Sequence, residues 1–397
     1  METNVWLVAA AWMALALAAS IISIRIGISV ALIEILVGIL AGNFLHVHSA
    51  PWIDFLATFG SGLLTFLAGA EIDPDSLRRH LKPALVIGAV GFFAPFLAAG
   101  AIAYWVAHWE LHASYIAGIA LSTTSVAVVY AVMLETGLNR TELGKLILAA
   151  CFVNDLGTVL ALGVIFANFN GWLALFVAVT AVTLWYLPRL TRFVLRTVGH
   201  RVSEPEVKFV FLVLFLLGGL AKLANSEAVL PAYLIGLVIA GVFVRDRILM
   251  DRMRAIAFTM LTPFYFLKAG LYVSLPAIAT GAFLILVLLG TKMASKIIGI
   301  WPLTRYFRFE RRAGAYTTLL MSTGLTFGTI SALFGLTNHI ITQTQYTILV
   351  TVVIGSAIVP TLIAQRFFHP AIPATDLAEE DVATLPFSTP AADPVAP

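Results

Sequence analysis

Long apolar runs, each interrupted by a short polar or basic connection, recur along most of this chain. They fall at roughly 5–24, 26–45, 52–71, 83–107, 113–134, 142–167 and 171–187. After a basic stretch they resume at roughly 207–224, 228–244, 256–275, 277–303, 313–335 and 343–365, and each is long enough to cross a ~30 Å hydrocarbon core. Backbone groups in lipid need internal partners, so runs of this length predict helices. The pattern predicts an all-α polytopic membrane protein of about thirteen transmembrane helices.

Composition agrees. Hydrophobic residues make up 60% of the 397 and charged residues only 11%, against roughly 25% charged in soluble domains. The basic residues sit in short loops and not on one clustered face, which excludes a nucleic-acid binder. No Lys or Arg precedes Arg25, so the first run reads as a true span and not a cleaved leader.

Charge then orients the spans. With the N-terminus outside, the odd-numbered connections are cytoplasmic and should be rich in Lys and Arg. They hold Arg25; Arg78, Arg79 and Lys82; Arg140 and Lys145; then Arg189, Arg192, Arg196, Arg201 and Lys208. Arg245, Arg247, Arg252 and Arg254 follow, then Arg305, Arg308, Arg311 and Arg312, and finally Arg366. The even-numbered connections hold only Lys222. Residues 1–366 are therefore expected to form the transmembrane domain. The Pro-, Ala- and acid-rich stretch 367–397 reads as a disordered cytoplasmic tail with no soluble regulatory domain after it.

Segments about 200 residues apart resemble each other. Ile35–Gly42 matches Leu234–Gly241, Phe66–Ala70 matches Phe266–Gly270, and Leu121–Thr124 matches Met321–Gly324. The offset is an odd number of spans, which predicts two inverted repeats, about 5–167 and about 207–365, joined by a connector helix at about 171–187. Inverted repeats typify secondary transporters, whose substrate site lies at the repeat interface near mid-membrane.

Ionisable groups at bilayer depth are candidates for function. Asp155 lies mid-span beside Asn154. Low dielectric lets a carboxyl group keep its proton toward neutral pH, so such a group holds a proton or a desolvated cation, but not both. Lys292 and Lys296 are spaced to share a helix face; depth favours Lys292 as the compensating charge, with Lys296 able to snorkel. Lys268 is a weaker candidate. Small polar residues interrupt two spans, at Ser122-Thr123-Thr124-Ser125 and at Ser322-Thr323-Gly324-Leu325-Thr326. Unwound backbone there would expose carbonyls able to replace part of a cation's hydration shell. Glu34 suits a second ion carboxylate or an interface residue equally. Glu71 and Asp73 read as solvated caps, Gly38 and Gly42 as helix packing, Gly60-Ser61-Gly62 as packing too, and Cys151 as a small buried hydrophobe. No H-E-x-x-H, P-loop or Cys/His cluster is present, so neither an enzyme nor a cofactor is expected.

At Thr123-Thr124-Ser125-Val126, Asn154-Asp155, Phe264–Gly270, Ser322–Leu325 and Lys296–Arg305 the chain resembles the monovalent cation:proton antiporters of the second subfamily. These include bacterial sodium/proton exchangers and potassium-efflux proteins. The resemblance covers about residues 5–366. It implies crossed discontinuous helices in a core domain that moves as an elevator against a dimerisation domain, hence a homodimer in membrane lipid. It implies exchange of Na⁺ or K⁺ for H⁺ at Asp155, with Asn154, Thr123, Thr124, Ser322 and Thr323 around the ion. It favours Lys296 as the charge-compensating lysine, with Lys292 in reserve. Electrogenic members carry two acids where this chain has Asn154 and Asp155, so one-for-one electroneutral exchange is expected. The nucleotide-binding domain usual in the potassium-efflux relatives is not expected here. A potassium channel gated by a separate subunit and a sodium-coupled organic-anion symporter are the competing readings. The compact form suggests a bacterial inner membrane.

Overall fold

The computed structural model describes residues 4–26, 29–45, 47–70, 81–136, 138, 141–166, 171–199, 201, 203–224, 229–243 and 247–370. Glu71, Asp73, Arg78, Arg79, Arg140, Arg245 and most of the tail (371–397) lie outside them. Among the described residues the chain is helical, without strands. In order the helices are α1 (Val5–Ile26), α2 (Val30–Phe44), α3 (Pro51–Ala70), α4 (Leu81–Ala101), α5 (Leu111–Ser122), α6 (Val126–Thr136), α7 (Glu142–Ile165) and α8 (Gly171–Val198). Then come α9 (Pro205–Leu223), α10 (Val229–Phe243), α11 (Arg247–Ile256), α12 (Thr262–Leu271), α13 (Leu275–Tyr306), α14 (Arg311–Leu320), α15 (Thr326–Thr337) and α16 (Gln343–Phe367). Wider π turns extend α4 over Ile102–Val106 and lead into α12 over Ala257–Leu261. Among the described residues, seven helices are long and apolar enough to cross a membrane, and four shorter ones are apolar too.

Several edges differ from the sequence expectation. α8 runs beyond 187 to Val198 because Leu187 and Thr191 stay buried on one face while the arginines point outward, so the helical pattern outlasts the apolar one. α11 was not expected as an element. Its apolar side buries Leu249, Met250 and Met253 under a basic face.

The two interrupted stretches break their helices. α5 ends at Ser122 and α6 begins at Val126; α14 ends at Leu320 and α15 begins at Thr326. Thr123 is extended, at φ −62° and ψ 151°. Hydroxyl groups take up carbonyls that the breaks leave open: Ser122 donates to Ile119, Thr123 to Ala120, Ser322 to Thr318 and Thr323 to Leu320. Buried backbone needs such partners, and short hydroxyl side chains supply them locally.

Two crossings rest on glycine. A Cβ on Gly38 would strike the Leu267 carbonyl of α12, and one on Gly270 of α12 would lie 2.8 Å from Ile39 N of α2. Between α3 and α10 the same reciprocity holds. A Cβ on Gly69 would stand 2.9 Å from Leu237 N, and one on Gly236 2.8 Å from Ala70 N. Gly42 and Gly60 likewise face the Leu271 and Leu261 backbones, whereas Gly62 has nothing near it. The packing expected of Gly38, Gly42 and Gly60 is found, and Gly62 takes no part.

A large apolar cluster joins α5, α7, α15 and α16, and a second joins α3, α9, α10 and α11. Between α12 and α13 the chain turns through Tyr272, Val273 and Ser274. Asn43 donates to Val273 O (2.8 Å) and accepts from Leu275 N (3.1 Å). The α16 side holds the same joint: Ser274 N donates to Thr347 Oγ1 at 3.1 Å, and Tyr346 Oη donates to Ala269 O at 2.6 Å.

Candidate ion-binding site

The broken helices meet α7 and α13 at one fully buried point. From α7, Asn154 Oδ1 accepts from Thr124 N at 2.9 Å while its Nδ2 donates to Ser122 O at 3.3 Å. A single amide thus holds the first break from both sides, a task that needs a donor and an acceptor on one side chain. Thr124 Oγ1 donates to Met321 O at 2.9 Å, and Ser125 N donates to Thr323 Oγ1 at 3.4 Å, so the two breaks are tied together.

α13 contributes both lysines, each fully buried. Lys292 Nζ donates to Thr123 O at 3.2 Å and takes up the space beside Gly324 that a Cβ there would need. Lys296 Nζ donates to Thr124 Oγ1 at 3.0 Å. The depth argument for a snorkelling Lys296 therefore fails: the i, i+4 spacing puts both ammonium groups into the crossing.

Asp155 is buried, and its Oδ1 has no hydrogen-bond partner. Among the described residues no ion pair reaches it within 4 Å, although Lys296 is within electrostatic range. An unpaired carboxylate in such surroundings is costly. Asn154, Thr123, Thr124, Thr323, Lys292, Lys296 and Asp155 are thus brought together. Ser322 is near, but its hydroxyl is spent on its own helix. Ser356 of α16 and the Met321 carbonyl join the site without having been singled out from sequence. Cys151, one turn before Asp155, is buried with its Sγ 3.6 Å from Met321 Sδ, as a small hydrophobe.

Two other charges are placed elsewhere. Lys268 forms an ion pair with Asp54 of α3 at 2.7 Å, and Ser49 Oγ donates to the same carboxylate at 2.5 Å. Asp54 was missed from sequence, since an acid in the first turn of a helix reads as a favourable cap. Glu34 is buried in α2, with Oε2 unpartnered among the described residues.

Known proteins give the context. Over 351 residues the chain is 23% identical to a protein named probable Na⁺/H⁺ antiporter 3 of Methanocaldococcus jannaschii, covering 86% of this chain and 89% of that one. It is 25% identical over 365 residues to an Na⁺/H⁺ antiporter of Enterococcus hirae, covering 87% and 93%. It is 23% identical over 362 residues to the Na⁺/H⁺-K⁺ antiporter GerN of Bacillus cereus, covering 87% and 92%. The solved structure of the sodium proton antiporter MjNhaP1 from Methanocaldococcus jannaschii at pH 8 superposes with a TM-score of 0.71 at 15% identity. That match covers 92% of this chain and 100% of the other, and the two share a fold. The family model for the transmembrane region of sodium/hydrogen exchangers matches residues 13–369. The chain is an integral membrane protein and belongs to the sodium/hydrogen exchanger family.

Proposed function

We propose that this protein exchanges Na⁺ or K⁺ for H⁺ by alternating occupancy of Asp155. The observation that carries the reading is the Asp155 Oδ1 atom, buried and without a partner among the described residues, next in sequence to the Asn154 amide that holds the first helix break. A carboxylate there binds a proton in one half of the cycle and a cation in the other. The Thr123 carbonyl and the Thr124 hydroxyl, now occupied by lysine ammonium groups, offer oxygen ligands to the incoming ion. Asn154 holds the break in shape and contributes no charge, which favours one proton per cation and electroneutral exchange. Lys296 balances Asp155 when the cation is absent, and Lys292 steadies the carbonyl side.

Na⁺ as cargo is supported by the names of the relatives, and K⁺ by that of GerN. The reciprocal glycine crossings, α2 with α12 and α3 with α10, support a repeat about 5–167 related to one about 207–365, with α8 as connector and about thirteen crossings in all. On this reading α1–α3 and α9–α12 form the scaffold and dimer half. Apart from the α8 connector, the other helices carry the ion as an elevator, with the N-terminus outside, the 367–397 tail in the cytoplasm and the protein in a bacterial inner membrane.

Proteoliposomes with a trapped pH dye and an imposed proton gradient test the proposal. Adding Na⁺ or K⁺ should dissipate the gradient equally with and without a clamped membrane potential. No response from folded protein to any monovalent cation would end the exchanger reading. Clamp dependence would end electroneutrality alone.

A further inference from the structure

We infer that Tyr233 is a latch between scaffold and carrier, a positioning residue that stabilises one facing state of the protein by gripping the Asp155 helix. The inference rests on the elevator reading proposed above, but its geometry is independent of the cargo. Tyr233 belongs to α10 and is completely buried. Its base is immobile, because Gly69 of α3 packs against the Tyr233 carbonyl and Gly236, one turn on, packs against Phe66 O. With backbone pressed on backbone, α10 cannot shift relative to α3 by rearranging side chains.

From that fixed base the side chain leaves its own half of the molecule. Its hydroxyl donates to Phe152 O of α7 at 3.0 Å, and Phe152 lies one turn before Asp155. The ring stands edge-on to Phe327 at the start of α15, with centroids 6.3 Å apart. The phenol is also within electrostatic range of Asp155. One side chain of the scaffold thus touches both the helix that bears the carboxylate and the half-helix that follows the second break. α7 cannot slide past α10 by even ~2 Å while this bond keeps hydrogen-bond length. A displacement of α7 along α10 therefore breaks this bond or exchanges it for another acceptor, so the bond belongs to one state and not the other.

Tyr233→Phe keeps the ring and its contact with Phe327 while deleting the grip. Net contributions of such bonds correspond to a change of about three- to tenfold in the ratio of the two facing states. Because the two apparent affinities are linked to that ratio, the cation KM should rise when measured from one side of the membrane and fall from the other. Everted and right-side-out membrane vesicles give the two measurements. A purely structural defect would lower the maximal rate in both without changing the KM ratio. An unchanged ratio in the variant overturns the latch. Hydrogen–deuterium exchange in detergent supplies a readout independent of transport. Amides near Phe152–Leu156 should exchange about three- to tenfold faster in Tyr233→Phe, while those of α3 stay unchanged. If native vesicles exchange no cation yet this difference appears, the exchanger reading falls and the latch stands. If the amides are unaltered, the latch falls.

Discussion

Lys296 Nζ donates to Thr124 Oγ1 at 3.0 Å, and the same hydroxyl donates onward to Met321 O at 2.9 Å. One ammonium group on α13 therefore reaches both helix breaks through a single threonine. Thr124 N in turn rests on Asn154, next in sequence to Asp155. Among the described residues the Asp155 Oδ1 atom has no hydrogen-bond partner, while the groups of the crossing are bonded to one another.

Replacing that carboxylate should separate function from folding. Asp155→Asn removes the charge but no hydrogen bond at Oδ1. Exchange in proteoliposomes should be abolished, while the protein stays folded in detergent with an unfolding temperature close to the native value, since no hydrogen bond at Oδ1 is lost. Full activity in the variant would refute the assignment of Asp155.

The two lysines should differ in kind. Lys296 lies within electrostatic range of Asp155, whereas Lys292 is bonded to the Thr123 carbonyl. Lys296→Met should displace the pH profile of exchange. Lys292→Met should alter the cation KM and leave the pH profile in place. Identical profiles for both variants and the native protein would contradict the division of roles.

At the Asp54–Lys268 pair the cost of deletion should be lopsided. The Asp54 side chain is 47% exposed and that of Lys268 only 7%. Lys268→Met leaves a carboxylate that water can reach and should cost under about 1 kcal/mol. Asp54→Asn strands an ammonium in the interior and should cost about 1–3 kcal/mol. Thermal unfolding of both variants and of the double variant measures the order, and equal losses would refute it.

Glycine substitutions should sort by what faces them. Gly236→Ala forces a methyl group onto the Phe66 backbone and should destabilise by about 1–3 kcal/mol. Gly62→Ala meets open space and should stabilise by about 0.4–1 kcal/mol. Paired melting curves decide it.

Much of this was readable along the chain. The Ser122–Ser125 and Ser322–Thr326 stretches announced broken helices, because hydroxyls that can satisfy their own carbonyls make an interruption tolerable in lipid. Lys292 and Lys296 announced a shared face by spacing. What stayed hidden required a partner distant in sequence: Asp54 for Lys268, and Phe152 O for Tyr233. An aromatic residue in an apolar helix carries no local mark that its hydroxyl reaches another helix. The length of α8 was hidden differently, since its last turns bury only Leu187 and Thr191 among exposed basic residues.

The joint around Val273 gives α13 the properties of a lever. Asn43 and Thr347 hold its first residues, and Lys296 lies ~30 Å along the rod at 1.5 Å per residue. A tilt of about 4° at the fulcrum displaces that ammonium by about 2 Å, enough to part it from Thr124. Small angular play at one end of the helix is thus amplified into making or breaking the lysine contact at the crossing. The stiffness of a side-chain amide at the far end of the helix therefore helps set how readily the lysine parts from Thr124.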